Sequence, residues 1–230
     1  MNTDRAIAIL GIIIGLPAFF ALFFSNEHRL EGALVSVLVV FVVVGTWWYR
    51  RQQAKPQFTS LELRKTYIIQ TTDGSLASAQ RIEKMRANFH GITEWWNRAL
   101  MFDGTVTNIL IDGEPPSSIV DVVGTLEVCK RFPRPLEKDE VITISMTYEL
   151  HDSFTKSSES VVHTNSTDVP ELVIVVELPR PCITAEVRRT YSGDHGKLEA
   201  PPSVSTNHRI IEAKIKKPHM GASYHVDWTW

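Results

Sequence analysis

Two uninterrupted apolar runs stand out in the first fifty residues. Residues 6–24 and 33–49 contain no charged side chain. At a helical rise of about 1.5 Å per residue, roughly 20 apolar residues cross the hydrocarbon core of a bilayer. The pattern therefore predicts a two-helix transmembrane hairpin over residues 1–50. The alternative is a signal anchor followed by a buried second segment.

Aromatic and basic residues follow the second apolar run and predict its orientation. The run closes with Trp47, Trp48 and Tyr49, whose rings suit the boundary between lipid and water. Arg50 and Arg51 come next, and the membrane side with more Lys and Arg stays in the cytoplasm. We therefore expect a multi-pass membrane protein with both termini cytoplasmic.

The first apolar run carries a small-residue face. Gly11 and Gly15 lie one helical turn apart, and Pro17 removes a backbone donor two residues later. In lipid, such a glycine pair lets another helix approach closely. It predicts either a homo-oligomer formed through the first helix or packing against the second helix of the same chain.

After a polar linker over residues 51–60, the pattern changes to short runs rich in β-branched residues, separated by Gly, Pro, Asp and Asn. Alternation of apolar and polar residues every second position is typical of half-buried strands. It predicts a mainly-β domain over residues 61–230, as an antiparallel β-sandwich of the Ig-like kind rather than a closed barrel. The expected strands are residues 66–71, 105–111, 120–129, 140–150, 171–178, 183–191, 208–216 and 223–230.

Residues 75–100 do not fit this alternation. Their apolar positions recur at helical spacing, which favours a helix with Asp73 or Ser75 as its N-cap. Gly91 interrupts the helical pattern. The alternative is a turn at residues 88–91 between two strands.

Charge and cysteine content narrow the functional classes. Five of the 24 basic and three of the 26 acidic residues lie in the first 56 residues, so the remainder has a formal charge of −4. This balance argues against generic nucleic-acid binding, which needs a basic surface. Cys129 and Cys182 are too few for a disulfide framework, and we expect both to be buried.

Catalytic and metal-binding patterns are not found. The chain has no P-loop, no Gly-x-Ser-x-Gly and no His-Glu-x-x-His, and His219 and His225 have no third ligand at metal-like spacing. A hydrolase using Ser153 with His151 is a weaker alternative, because adjacent residues rarely supply a base in the right geometry. We expect no catalytic residue, no metal and no cofactor.

Aromatic and basic doublets are the remaining candidates for ligand or partner contacts. Trp95 and Trp96 suit either stacking on a ligand or core packing, and Arg188 with Arg189 suits an anion or a solvated strand edge. Trp228 and Trp230 alternate on the last strand, which favours the core.

The layout resembles small effectors of bacterial antiphage defence, both the two-span effectors encoded with retrons and the two-span β-barrel effectors gated by cyclic oligonucleotides. The likeness rests on the apolar runs, the basic linker and three short stretches, residues 148–154, 178–181 and 224–230. It implies a toxin located in the inner membrane that perturbs the lipid bilayer in abortive infection. A reverse transcriptase with its DNA–RNA product, or a cyclic nucleotide, would control it. The alternative is a membrane-tethered adaptor that recruits a protein or a nucleotide ligand.

Overall fold

Alternating buried and exposed side chains organise the chain into β-strands. The computed structural model describes residues 56–100, 103–122, 125–191 and 196–230. These residues form fourteen strands: β1 (Phe58–Ile69), β2 (Leu76–Ala87), β3 (Ile92–Leu100), β4 (Thr105–Ile111), β5 (Ser118–Val122), β6 (Thr125–Leu136), β7 (Val141–His151), β8 (Ser158–Thr164), β9 (Glu171–Glu177), β10 (Thr184–Thr190), β11 (Lys197–Leu198), β12 (Ser203–Val204), β13 (Ile210–Lys216) and β14 (Ser223–Thr229).

Three sheets are built from these strands. The largest has seven strands in the order β12-β13-β9-β1-β2-β7-β4, the second has the order β11-β10-β14-β8, and the third has the order β3-β6-β5. All pairs are antiparallel except β1 with β9, which run parallel with Leu63 opposite Leu172. The largest sheet is therefore mixed.

One hydrophobic core is shared by the three sheets. Strand β7 shows how the alternation builds it, since Ile144, Met146, Tyr148 and Leu150 are all buried. The other two sheets contribute residues such as Trp95 and Val128, and Tyr224 and Trp228. The core is therefore built from side chains of all three sheets.

The loop residue Phe154 joins two of these sheets. Its ring lies 5.8 Å from that of Trp228 in the four-stranded sheet and 6.5 Å from that of Tyr67 in the seven-stranded sheet, centre to centre. The predictions that Trp228 and the cysteines are buried are confirmed.

The helix favoured for residues 75–100 is wrong. The segment forms β2 and β3, separated by a turn at residues 88–91 as the alternative had it. The inward positions of β2 include Arg81 and Glu83 between Ala79 and Met85. These two charged residues interrupt the apolar alternation, so the remaining apolar positions matched a helical spacing.

The predicted fold class also needs correction. A two-helix transmembrane hairpin with an antiparallel Ig-like sandwich was expected, but the described chain consists of strands and turns, and its main sheet is mixed. Within the described ranges, no helix has the length and apolar character needed to cross a membrane. The predicted helices 6–24 and 33–49 lie outside the described residues, as do Gly11, Gly15, Pro17, Trp47, Trp48, Tyr49, Arg50 and Arg51.

Candidate functional site

A groove follows the start of β3, which is an outer strand of the three-stranded sheet. Its volume is about 290 Å³. The lining comes from the residue before β1, the turn between β2 and β3, and β3 itself: Gln57, Phe89, His90, Gly91, Ile92, Thr93, Glu94 and Trp96. We call this feature the Trp96 groove.

Local backbone contacts hold the turn that forms one wall of the groove. The amide of Asn88 donates to the carbonyl of Gln57, and that of Gly91 donates to the carbonyl of Leu136, each at 2.9 Å. Gly91 has a φ of +82°, a conformation that favours glycine. The turn is therefore tied to both neighbouring strands, and it places Phe89 and His90 beside β3.

Two carboxylates lie at or beside the groove. Trp96 Nε1 donates to Glu94 Oε2 at 3.2 Å, and Arg131 Nη2 donates to Glu94 Oε1 at 3.3 Å. His90 Nδ1 lies 2.6 Å from Glu137 Oε2. The groove thus combines an indole ring, a phenyl ring and carboxylate oxygens.

The tryptophan doublet is split by the alternation of β3. Trp95 points inward, is 4% exposed, and has the guanidinium of Arg81 at 5.9 Å from its ring centre. Trp96 points outward into the groove. Of the two predicted contact residues, only Trp96 is therefore placed where a ligand can reach it.

The predicted arginine doublet lies in a different sheet, on β10. Arg188 Nε donates to Asp227 Oδ2 at 2.8 Å and lies 3.3 Å from Glu186 Oε1. These interactions with Asp227, the larger effect, and Glu186 raise the pKa of Arg188. This guanidinium is already paired with acidic side chains.

Arg189 points the other way from the same strand. Its Nε lies 3.1 Å from Glu199 Oε1, without hydrogen-bond alignment, and its guanidinium packs 5.6 Å from the ring centre of Tyr191. The structure does not bring the arginine doublet together with Trp96.

Five polar or charged residues lie together where the three sheets meet, and the sequence pattern did not predict them as a site. Lys65 is on β1, Arg81 and Glu83 are on β2, Asn97 is on β3 and His163 is on β8. Arg81 Nη2 donates to Glu83 Oε2 at 2.6 Å, and Arg81 Nη1 donates to Asn97 Oδ1. We call these five residues the junction cluster.

Burial shifts the pKa of two members of this cluster. Desolvation, helped by the charge of Arg81 and opposed by Glu83, lowers the pKa of the Lys65 amine to about 7. Desolvation, followed by repulsion from Lys65 and Arg81, lowers the pKa of His163 to about 2, so His163 is neutral. Charged residues at inward positions of β1 and β2 could have indicated this cluster, but the sequence pattern predicted a helix where β2 lies.

The alternative catalytic and metal-binding residues do not form sites. The Ser153 hydroxyl donates to the backbone carbonyl of His151, while His151 Nε2 lies 2.9 Å from Thr107 Oγ1. His225 Nε2 lies 3.0 Å from Thr190 Oγ1, and the His219 ring packs near Tyr191. Among the residues that the structure describes, no group of three or more His, Cys, Asp or Glu side chains could hold a metal ion.

Comparison with known proteins gives structural neighbours of low sequence identity. No protein-family model and no curated protein matches the sequence. The solved structures include an M1 zinc metallopeptidase from Deinococcus radiodurans, with a TM-score of 0.44 and 11% identity, covering 74% of this chain and 42% of that one. They also include native yeast LTA4 hydrolase, with a TM-score of 0.44 and 13% identity, covering 74% and 29%. The chain spans less than half the length of these structures. A similarity of this size does not indicate a shared activity.

Proposed function

We propose that the β domain is a binding module rather than an enzyme, and that it recruits a polypeptide segment presenting a basic side chain. The observation that carries the proposal is the Trp96 groove, which is lined by the aromatic residues Trp96 and Phe89 and by the acidic residue Glu94. It corresponds to the adaptor alternative predicted from the sequence.

The lining favours a cation as the group that is recognised. Ammonium and guanidinium groups are attracted to the faces of aromatic rings, and most strongly to tryptophan. Glu94 adds a carboxylate that already accepts a hydrogen bond from Arg131, whose side chain is 72% exposed. This contact shows how a guanidinium reaches Glu94 from the solvent side.

The position of β3 favours an extended segment as the carrier of that cation. Among the described strands, β3 pairs only with β6 and forms the outer strand of its sheet. An outer strand presents backbone donors and acceptors to which an extended peptide can add, while side-chain pockets supply specificity. The Trp96 groove beside the start of β3 is such a pocket.

Matched peptides test the proposal on the full chain. Two fluorescein-labelled pentapeptides differ only at the central residue, which is Arg in one and Glu in the other, and fluorescence anisotropy measures binding. We expect the Arg peptide to bind at least about tenfold more tightly, and Trp96→Ala to weaken it by about tenfold or more. Trp230→Ala removes a tryptophan outside the groove and serves as the control.

Two results would contradict this function. One is equal binding of the Arg and Glu peptides, and the other is unchanged affinity in Trp96→Ala. The toxic-effector function concerns residues outside the described ranges and stays a prediction. It is tested by measuring the membrane potential with a voltage-sensitive dye after strong expression, where an unchanged potential would refute it.

A further inference from the structure

The junction cluster places more positive than negative charge inside the protein. Lys65 lies directly opposite Arg81 in the register between β1 and β2, on the inward face of the sheet. Glu83 is the acidic member, and its Oε2 accepts from Arg81 Nη2 at 2.6 Å. Glu83 is the carboxylate that acts on the Lys65 amine, and it is already paired with Arg81.

Hydrogen-bond donors are in surplus in the same place. Asn97 uses its side-chain oxygen to accept from Arg81, which leaves its amide nitrogen to donate. Asn97 Nδ2, Arg81 Nε and His163 Nε2 are buried and have no hydrogen-bond partner in the described part of the chain. Asn97 is 4% exposed and His163 is 8% exposed, so both are more than nine-tenths buried. Unmatched buried polar atoms of this kind are costly and uncommon.

The partners that are lacking are acceptors with negative charge. Asn97 Nδ2 and Arg81 Nε can only donate, and His163 Nε2 donates when its proton is on that nitrogen. A water molecule would accept hydrogen bonds from these atoms but would not balance the charge of Lys65. An oxyanion would do both, because each of its oxygens accepts and the group is charged.

The cluster also retains a route to solvent. Lys65 is partly exposed, and the side chain of Arg81 is 19% exposed, although Glu83 beside it is only 6% exposed. We infer that the junction cluster is a binding site for the oxyanion group, a carboxylate or a phosphate, of a ligand that enters where Lys65 and Arg81 reach the surface. This site is separate from the Trp96 groove and does not depend on the proposed function.

Electrostatics adds support to the geometry. Burial lowers the pKa of the Lys65 amine to about 7, and Arg81 contributes to that shift. A bound anion would favour the charged amine and raise this pKa again, because an opposite charge nearby stabilises the ionised form. Binding would then be accompanied by proton uptake near neutral pH.

Thermal unfolding of the full chain in phosphate, acetate or chloride at matched ionic strength and a pH near 6.5 tests the inference. An anion at tenfold its dissociation constant is expected to raise the midpoint by about 3 to 6 °C relative to chloride. Phosphate also stabilises proteins by exclusion from their surface. The decisive quantity is therefore the difference between variants in the anion-induced shift of the unfolding midpoint.

Lys65→Met removes the amine and keeps a side chain of similar length. The matched control is Lys84→Met, because Lys84 is exposed and lies on the outer face of β2. We expect the anion-specific shift to be lost in Lys65→Met and kept in Lys84→Met. Asn97→Asp preserves the shape and repels an anion, so it should lose the shift as well. Stabilisation by phosphate alone or by acetate alone supports the inference and assigns the ligand class.

Equal shifts in Lys65→Met and Lys84→Met would overturn the inference. So would an absence of any shift beyond that of chloride in the wild-type chain, since the donors would then be satisfied by water only. If Lys65→Met fails to fold, an NMR titration of the Lys65 amine in the wild-type chain decides. Its pKa should rise by about one unit in saturating phosphate or acetate, and an unchanged pKa in both anions refutes the site.

Discussion

Replacing Lys65 by methionine should stabilise the protein in a manner that depends on pH. In the folded chain the pKa of the Lys65 amine is lowered from 10.5 to about 7 by desolvation, with a contribution from Arg81. Between these two values the unfolded chain binds more protons than the folded chain, so stability rises with pH. The lysine therefore destabilises the fold most below about pH 7, and this effect disappears above the unfolded pKa of 10.5.

The magnitude follows from the size of the shift. At 1.36 kcal/mol per pKa unit, the cost of the buried ammonium at low pH is at most about 5 kcal/mol. Partial exposure of the side chain reduces this figure, and we expect Lys65→Met to raise the free energy of unfolding by about 1 to 3 kcal/mol near pH 6.5. Near pH 9.5 most of this gain should vanish, because the wild-type amine is then neutral in the folded state.

Urea unfolding at several pH values between about 6 and 9.5, without added phosphate or carboxylate, measures the effect. Lys84→Met controls for the loss of a lysine, since Lys84 lies on the outer face of β2 and its side chain is 44% exposed. The difference between Lys65→Met and the wild-type chain isolates this one group from others that titrate. A variant less stable than the wild-type chain near pH 6.5, or a difference that does not shrink as pH rises, would refute the reasoning.

Two further predictions concern backbone and charge, both measured as free energies of unfolding. Gly74→Ala should lower the free energy of unfolding by more than about 3 kcal/mol, because Gly74 has a φ of +73° and an added Cβ would lie 1.6 Å from Phe154 O. Gly113→Ala should lower it by about 1 kcal/mol, because Gly113 has a φ of +84° but open space around it. Equal losses in the two variants would contradict the steric argument. Glu83→Gln should lower the free energy of unfolding by about 3 kcal/mol, because it leaves the guanidinium of Arg81 without its buried carboxylate partner. A loss below about 1 kcal/mol would show that solvent screens the pair.

Local patterns were enough to predict several strands and turns. Strand β4 begins and ends at the predicted residues, Thr105 and Ile111. The Asp and Gly residues expected between strands form such a turn after β4, where Asp112 and Gly113 have φ of +53° and +84°, a conformation that this pair adopts readily. In these segments the alternation and the turn residues lie within a few positions of each other, so no distant contact is needed to interpret them.

Features that depend on distant residues could not be predicted in this way. The parallel pairing of β1 with β9 joins segments that are separated by most of the domain, and neither segment carries a signal for the other. Strand β2 was missed because Arg81 and Glu83 occupy inward positions. Arg81 donates a hydrogen bond to Asn97 of another sheet and pairs with Glu83 on its own strand, and the contact with Asn97 cannot be read from the local sequence.

The candidate sites show the same limit. A tryptophan doublet on a strand must place one ring inward and one outward, but the sequence does not say which. The structure places Trp95 in the core and Trp96 in the groove. The sequence shows Glu186 as a possible partner two residues before Arg188, whereas Asp227 is brought close only by the pairing of β10 with β14.

Strand β3 links these observations, because its two faces serve different sites. Glu94 and Trp96 lie on the groove side, while Trp95 and Asn97 are buried with the guanidinium of Arg81. The buried face carries Asn97, which accepts from Arg81, the residue opposite Lys65. Well-packed apolar residues in such a place are often at least as stabilising as buried charges. A stabilising effect of Lys65→Met together with the loss of anion binding would therefore mean that the charge is kept for recognition, since the fold alone would be better without it.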